Sequence, residues 1–310
     1  MEGIVIKSTG SWFRVRSAAG EETECKLKGK FRIKGIKTTN PVAVGDHVVF
    51  KKQPNENVGL IREIRPRHNH IIRKSTKLSK QSHIIAANID IAILVVALKD
   101  PLTPIGFIDR FLVTSEAYHI QAALVFNKID IYGQKELKKL NELTSIYEFA
   151  GYPCLQVSAL TGQYIALVTQ LIKNKVSLFS GISGVGKSAL INTIEPGLNV
   201  KTGDISKYHR TGKHTTTYPE MHPLSFGGFI IDTPGIREFG LVDFKKEDIA
   251  ERFPEMRRYM HSCQFNNCTH IHEPKCAVKE AVENGDIPQS RYNSYLRIYN
   301  DDYLEKDEFS

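Results

Sequence analysis

The sequence predicts a multi-domain α/β protein in three parts: an OB-type β-barrel over residues 1–73, an α/β domain over 74–240, and a helical, metal-holding unit over 241–310. Three observations predict it. The first 73 residues read as short alternating strands and hold 15 Lys+Arg against 7 Asp+Glu, so the whole net charge of +8 sits there. The middle segment carries long apolar runs that end in glycine-rich or acidic tips. The last segment places three of the five cysteines within fourteen residues.

The N-terminal strands read as "GIVIKSTGSWFRVRS", "ETECKLKGKFR", "PVAVGDHVVFKK" and "VGLIREIRPRHN". Phe13 and Val15 alternate with Trp12, Arg14 and Arg16, the period of a half-buried strand. Gly45-Asp46 marks a turn, and no helical period intervenes. A small closed barrel is the economical solution, and such barrels bind nucleic acid through a basic face with exposed aromatics. Trp12 is a candidate stacking residue, although a lone Trp is more often core and that reading is preferred for it. Concentration of the positive charge here points to a polyanionic partner. The stretch "IIRKSTKLSKQSHIIA" reads as a basic, mobile connector.

Hydrophobic residues make up 41% of the chain, enough for sizeable cores. No apolar run approaches membrane-spanning length, and "MEGIVIKSTG" lacks the pattern of a signal peptide. An odd cysteine count without an export signal fits a reducing cytoplasm.

The α/β domain opens on the buried-strand run "ANIDIAILVVAL" (87–98). Its phosphate motif is "GISGVGKS", with Gly181, Gly186, Lys187 and Ser188 at the spacing of G-x-x-x-x-G-K-[ST]. Glycines let the backbone N–H groups of Gly181, Ile182, Ser183, Gly184, Val185, Gly186 and the following Ala189 turn turn toward phosphate oxygens. Lys187 would reach the β- and γ-phosphates, and the Ser188 hydroxyl would bind Mg²⁺. "VSLFS" before the loop reads as a strand and "KSALINTI" after it as a helix, whose N-terminus adds its positive end. Further on, "FIIDTPG" places Asp232 at a strand end, to hold Mg²⁺ through water, and the Gly235 N–H toward the γ-phosphate. Between them "HRTGKHTTTYPE" offers three threonines, with Thr216 expected to ligate Mg²⁺ when the γ-phosphate is present.

The tetrapeptide "NKID" (127–130) ends the run "AALVF". Asp130 can accept from the N1–H and N2–H₂ edge of guanine, a donor pair that adenine lacks. Asn127 can bond the O6/N7 side, and the Lys128 stem packs over the nucleotide. "CLQVSAL" follows, with Ser158-Ala159-Leu160 at a strand end and the Ala159 N–H expected at guanine O6. The five elements identify a P-loop GTPase binding GTP/GDP and Mg²⁺, but the base-reading pair precedes the phosphate loop. Chain ends of compact domains lie close together, so a permuted connection preserves the same sheet. The domain is therefore expected to be circularly permuted, with its second switch feeding directly into the C-terminal unit.

For hydrolysis, a Gln that orients the attacking water follows the D-x-x-G motif in Ras-type enzymes. That position here is Ile236, which can neither donate nor accept. His214 is the nearest replacement, with Thr216 and Lys187 completing the expected catalytic set.

In the C-terminal segment, Cys263, Cys268, His270 and Cys276 have the spacing C-x4-C-x-H-x5-C, and three thiolates with one imidazole suit a tetrahedral, structural Zn²⁺. His272 and, more weakly, His261 compete for the imidazole position. "KKEDIAERF", "CAVKEAVENG" and "PQSRYNSYLRIYNDDYLE" read as flanking helices. Tyr292, Tyr295, Tyr299 and Tyr303 recur at helical spacing and are read as packing. Cys25 and Cys154 are packing residues.

Together "NKID", "SAL", "GISGVGKS", "GKHTTT", "DTPGIREFG" and the cysteine cluster, in this order over nearly the whole chain, resemble the bacterial circularly permuted small-ribosomal-subunit biogenesis GTPases, the RsgA family. The resemblance implies an OB domain, a permuted GTPase and a zinc-binding helical domain. It also implies a role late in small-subunit maturation, with binding to the small ribosomal subunit and its rRNA, hydrolysis stimulated by the subunit and release afterwards; the chain is expected to be a monomer. Thr233 departs from relatives that carry Ser there, with no consequence for phosphate binding. The competing reading is a GTP-sensing RNA-binding scaffold in which hydrolysis is incidental.

Overall fold

The computed structural model describes residues 1–27, 41–53, 58–74, 82–198, 200, 219–232 and 245–300. The first five strands, β1 (Glu2–Ser8), β2 (Phe13–Ser17), β3 (Glu22–Leu27), β4 (His47–Lys52) and β5 (Val58–Ile64), pair in the order β1-β2-β3-β5-β4. β4 returns to β1, which closes the barrel. Among the described residues, only β3 and β5 run parallel within it. Its core holds Val5, Phe13, Val15, Cys25, Val42, Val48, Phe50 and Ile61, so the alternation read from β2 points inward as expected. Gly45 is required at its turn: it has φ +88°, and a Cβ there would lie 2.0 Å from the Ala87 carbonyl oxygen.

The same alternation corrects the reading of Trp12. It shares the outward parity of Arg14 and Arg16 and is 39% exposed rather than core, with Lys26 Nζ 4.1 Å from its ring centroid. The two ends of the stretch read as a mobile connector pair as antiparallel strands, β6 (His70–Lys74) and β7 (Ser82–Ala87), while 75–81 lie outside the described residues. Ile71 and Ala86 from it join the core of the next domain. Around it, Arg67 pairs with buried Asp46 at 2.6 Å, and a polar seam binds barrel to α/β domain: Asn88 Nδ2 donates to the Gly45 carbonyl, and Asn69 exchanges two hydrogen bonds with Ile89.

The α/β domain contains β8 (Ile91–Val96), α1 (Ile105–Ala117), β9 (Gln121–Phe126), α2 (Gln134–Ala150), β10 (Cys154–Gln156), α3 (Ile165–Ile172), β11 (Val176–Ser180), α4 (Lys187–Ile194), β12 (Glu220–Pro223) and β13 (Phe229–Asp232). They form the strand order β10-β9-β8-β11-β13-β12. The chain starts in the middle of the sheet, walks to one edge, returns to the centre at β11 and then builds the other half. That return is the permutation expressed in three dimensions. β8 is buried on both faces: Ala92, Leu94 and Val96 pack in the core that includes α1 and α2 residues, while Ile91, Ile93 and Val95 pack with residues of α3 and α4. β12 also pairs with β1 through Lys7 and Glu220, so one eleven-stranded sheet runs from the α/β domain into the barrel.

The C-terminal unit has α5 (Pro254–Met260), α6 (Ala277–Glu283) and α7 (Gln289–Tyr299). "KKEDIAERF", read as a helix, forms two 3-10 turns instead, Lys246–Asp248 and Ala250–Arg252. Tyr292, Tyr295 and Tyr299 pack in this unit's core as expected, together with Val113 of α1. Among the described residues no helix is long and apolar enough to cross a membrane.

Candidate nucleotide site and metal centre

Ligands of open α/β sheets bind outside the carboxyl ends of the strands, where neighbouring connections diverge. The carboxyl ends of β8, β9, β10 and β11 bring the sequence motifs to that place. The phosphate loop leaves β11 and enters α4 through Gly186, which is left-handed at φ +92°. A Cβ at Gly186 would lie 2.4 Å from Asn127 Nδ2, and one at Gly181 2.7 Å from the Val95 carbonyl oxygen. The glycines are thus needed for backbone shape and for the close approach of two loops. Lys187 begins α4, and its Nζ lies 3.4 Å from the Gly181 carbonyl oxygen, folded across the loop.

Asn127 is buried, and its amide joins three segments. Nδ2 donates to the Val185 carbonyl of the phosphate loop at 2.9 Å. Oδ1 accepts from the Ala159 N–H at 2.9 Å. The Ala159 N–H, expected at the guanine, therefore has an internal partner, and Asn127 is a brace as well as a candidate base contact. One Nδ2 proton remains beyond the bond to Val185. Ser158 Oγ donates to Asp130 Oδ1 at 2.5 Å and accepts from the Thr161 N–H, which fixes the carboxylate of the base-reading motif. Leu160 beside it is 84% exposed. Lys128 is left-handed at φ +68°, and its ammonium donates to the Asp100 carbonyl. Its stem thereby reaches along the phosphate loop, as Gly186 also indicates: a Cβ there would lie 3.9 Å from Lys128 Cε.

Ile182, Ser183, Gly184, Ser188 and Ala189 complete the loop and first helical turn, with Val185 buried beneath it. Ser188 is half-buried one residue inside α4, where a hydroxyl can face a phosphate-bound Mg²⁺. Asp232 ends β13, directly paired with Glu220 of β12. His214, Thr216, Gly235 and Ile236 lie outside the described residues.

The cysteine cluster assembles. Single ligand atoms of Cys263, Cys268, His270 and Cys276 all lie within 4.8 Å of one another. His270 Nδ1 faces Cys276 Sγ at 3.4 Å and Cys263 Sγ at 3.6 Å, and the two sulfurs are 3.9 Å apart. These separations and a three-sulfur, one-nitrogen donor set fit a tetrahedral Zn²⁺. His270 lies in the cluster, and His272 is exposed and outside it. His270 is left-handed at φ +60°. That bend is held by Glu273, whose carboxylate accepts from the Thr269 N–H and hydroxyl and from the Ile271 N–H. α7 adds Tyr292, donating to the His270 carbonyl at 2.6 Å, and Tyr295, donating to the Thr269 carbonyl. The tyrosines read as packing thus also anchor the metal loop. Their hydroxyl targets are thirty or fewer residues away in sequence but carry no local signal.

Comparison with known proteins agrees with this arrangement. The family description "RsgA GTPase" matches residues 64–242, and "RsgA N-terminal domain" matches residues 2–61. The chain is 51% identical to the small ribosomal subunit biogenesis GTPase RsgA of Flavobacterium psychrophilum, covering 99% of each chain. It is 51% identical to that of Bacteroides fragilis, covering 97% of each. Among solved structures, YjeQ from Thermotoga maritima superposes with a TM-score of 0.80 at 36% identity, covering 98% of this chain and 99% of that one. YloQ, described as a circularly permuted GTPase, gives 0.75 at 28% identity, covering 99% and 96%. With barrel, permuted sheet and four-ligand cluster all present, the chain belongs to the RsgA family of circularly permuted GTPases.

Proposed function

We propose that this chain is a GTP hydrolase that docks on the small ribosomal subunit and its rRNA late in maturation, hydrolyses GTP faster there, and leaves after hydrolysis. The observation that supports it most is the Asn127 brace: it fastens a guanine-reading loop to a phosphate loop, so base identity and phosphate position are read by one rigid unit. GTP or GDP would lie across Asn127, Lys128, Asp130 and Ala159 at the base and Gly181–Ser188 at the phosphates. Ser188 and Thr216 would hold Mg²⁺, with Asp232 acting through water, and the ion would neutralise charge at the phosphates. Zn²⁺ at Cys263, Cys268, His270 and Cys276 would be structural, since no ligand position stays open. The positive charge of residues 1–73 supports rRNA as the partner of the barrel. A cytoplasmic monomer suits that role, with the working units at 1–73, 74–240 and 241–310.

The scaffold alternative is not favoured, because the intact Lys187 and Ser188 serve phosphoryl transfer. Turnover of GTP by the full chain, alone, with purified small subunits and with purified large subunits, tests the reading. Stimulation by small but not large subunits is expected; equal turnover in all three conditions would refute the coupling.

A further inference from the structure

We propose that Tyr132 is a positioning residue for guanine recognition: its hydroxyl clasps the base-reading loop shut and sets where Asn127 stands. The inference rests on the reading of residues 127–130 as the guanine site.

Tyr132 follows Asn127 by five residues, after a 3-10 turn over Ile129–Ile131. Its hydroxyl donates to the Asn127 carbonyl at 2.6 Å and accepts from the Leu98 N–H at 2.8 Å. The Asn127 N–H donates to the Val96 carbonyl at 2.8 Å. Both backbone ends of Asn127 are therefore tied to the end of β8, one directly to Val96 and one through Tyr132 to Leu98, two residues beyond the strand. Its side-chain amide is tied to Val185 and Ala159. The remaining Nδ2 proton, the one available to a purine N7, has its direction fixed by these four bonds.

The clasp opposes a real cost. Lys128 sits left-handed at φ +68°, a backbone conformation that disfavours a non-glycine residue. Without the hydroxyl, the loop could relax toward an ordinary conformation and carry Asn127 with it. Apolar packing alone does not explain a tyrosine here. The ring packs against the core beside α1 and α2, where phenylalanine would serve equally, and a hydroxyl there is costly unless bonded. Burial pushes the phenol up to about 12, so it keeps the proton it donates. Recognition sites need their groups held within about 0.5 Å, and supporting hydrogen bonds of this kind provide that.

The test compares GDP, ADP and xanthosine diphosphate binding to the full chain in wild type, Tyr132→Phe and Asp130→Asn. Tyr132→Phe is expected to weaken GDP about 3- to 10-fold, the effect of losing one net hydrogen bond, and to leave ADP unchanged. In turnover its KM for GTP should rise with kcat unaltered. Asp130→Asn, which probes the site itself, should shift preference toward xanthosine diphosphate. If that shift occurs while Tyr132→Phe keeps the wild-type GDP/ADP ratio, the clasp is refuted and the guanine site stands. Equal weakening of GDP and ADP by Tyr132→Phe would assign the hydroxyl to stability only and also refute it. Absence of the shift in Asp130→Asn would overturn the guanine site and the clasp together.

Discussion

Asp109 on α1 and Arg291 on α7 form an ion pair of 2.5 Å in which the side chains are 0% and 1% exposed. Glu255 of α5 takes the other side of the same guanidinium. Tyr147 and Ser294 donate hydroxyl bonds to Asp109, and the Arg291 guanidinium lies 4.7 Å from the Phe253 ring centroid. Burial alone disfavours the charge on Arg291, but the two carboxylates outweigh it and raise its pKa. The pair joins the C-terminal unit to the α/β domain.

Breaking such a pair strands the remaining charge, which typically costs about 3–5 kcal/mol. Arg291→Met leaves two buried carboxylates and is expected to lower stability by that amount in chemical denaturation. Glu255→Gln should be milder, because Glu255 Oε2 has no hydrogen-bond partner among the described residues. Wild-type stability of Arg291→Met would show that the two units are held by their other contacts, such as Arg257 with Glu116, and not by this pair.

One tightly bound Zn²⁺ per chain is expected by elemental analysis, lost in Cys268→Ser. Structural zinc contributes on the order of 10 kcal/mol of apparent binding free energy, which couples to folding. Burial pushes the Cys268 thiol up to about 12 and raises Cys276 as well. Zinc needs thiolates, so binding must expel these protons, and chelator extraction should speed up as pH is lowered.

Glu273 adds an acid-side dependence. Burial works to raise its pKa, but hydrogen bonds from Thr269 and Ile271 prevail and bring it from the ordinary 4.5 to about 2. A lowered carboxylate pKa means stability that is fully present above about 4.5 and lost as pH falls through 2. Glu273→Gln should remove that part of the acid sensitivity and hasten zinc loss to a chelator at neutral pH. Unchanged release rates would separate Glu273 from the metal loop.

On the barrel, Arg14 and Arg16 are paired with Glu24 and Glu22, whereas Lys26 lies over exposed Trp12. Exposed pairs contribute about 0–1 kcal/mol, so a polyanion can displace them. Trp12→Ala should weaken small-subunit binding by about 1–3 kcal/mol, the scale of one stacked base, without altering its salt dependence. Lys26→Ala should instead flatten the log–log salt slope by roughly 0.7–0.9. GTP affinity should stay constant in both. Identical subunit binding in wild type and both variants would place the rRNA contact elsewhere.

Hydrolysis by the free chain should be slow, on the unassisted Ras scale of about 10⁻⁴ to 10⁻³ s⁻¹, because Ile236 stands where a water-orienting Gln would be. His214→Ala should remove most of the subunit-stimulated rate while GTP affinity and subunit binding persist. Full stimulated turnover in that variant would assign the attacking water to a ribosomal group or another residue.

Local sequence determined the chemistry of this protein. Phosphate-loop glycines, "NKID" and the cysteine spacing are contiguous patterns, because each ligand contact needs fixed residue types a few positions apart. Strand alternation also placed Phe13 and Val15 inside the barrel, but the general tendency of tryptophan led to a core reading of Trp12, which the structure overturned in favour of the strand parity. The tertiary structure alone decided what holds these patterns together. Tyr132 with Leu98, Asn127 with Val185, Asp109 with Arg291 and Lys7 with Glu220 join residues whose meeting depends on the path of the chain. Asp109 left one trace, a charge on the buried stripe of α1 between Ile108 and Phe111, but its partner lies 182 positions away. Periodicity reports which face of an element is buried; it carries no information about which distant side chain will neutralise or clasp what that face contains.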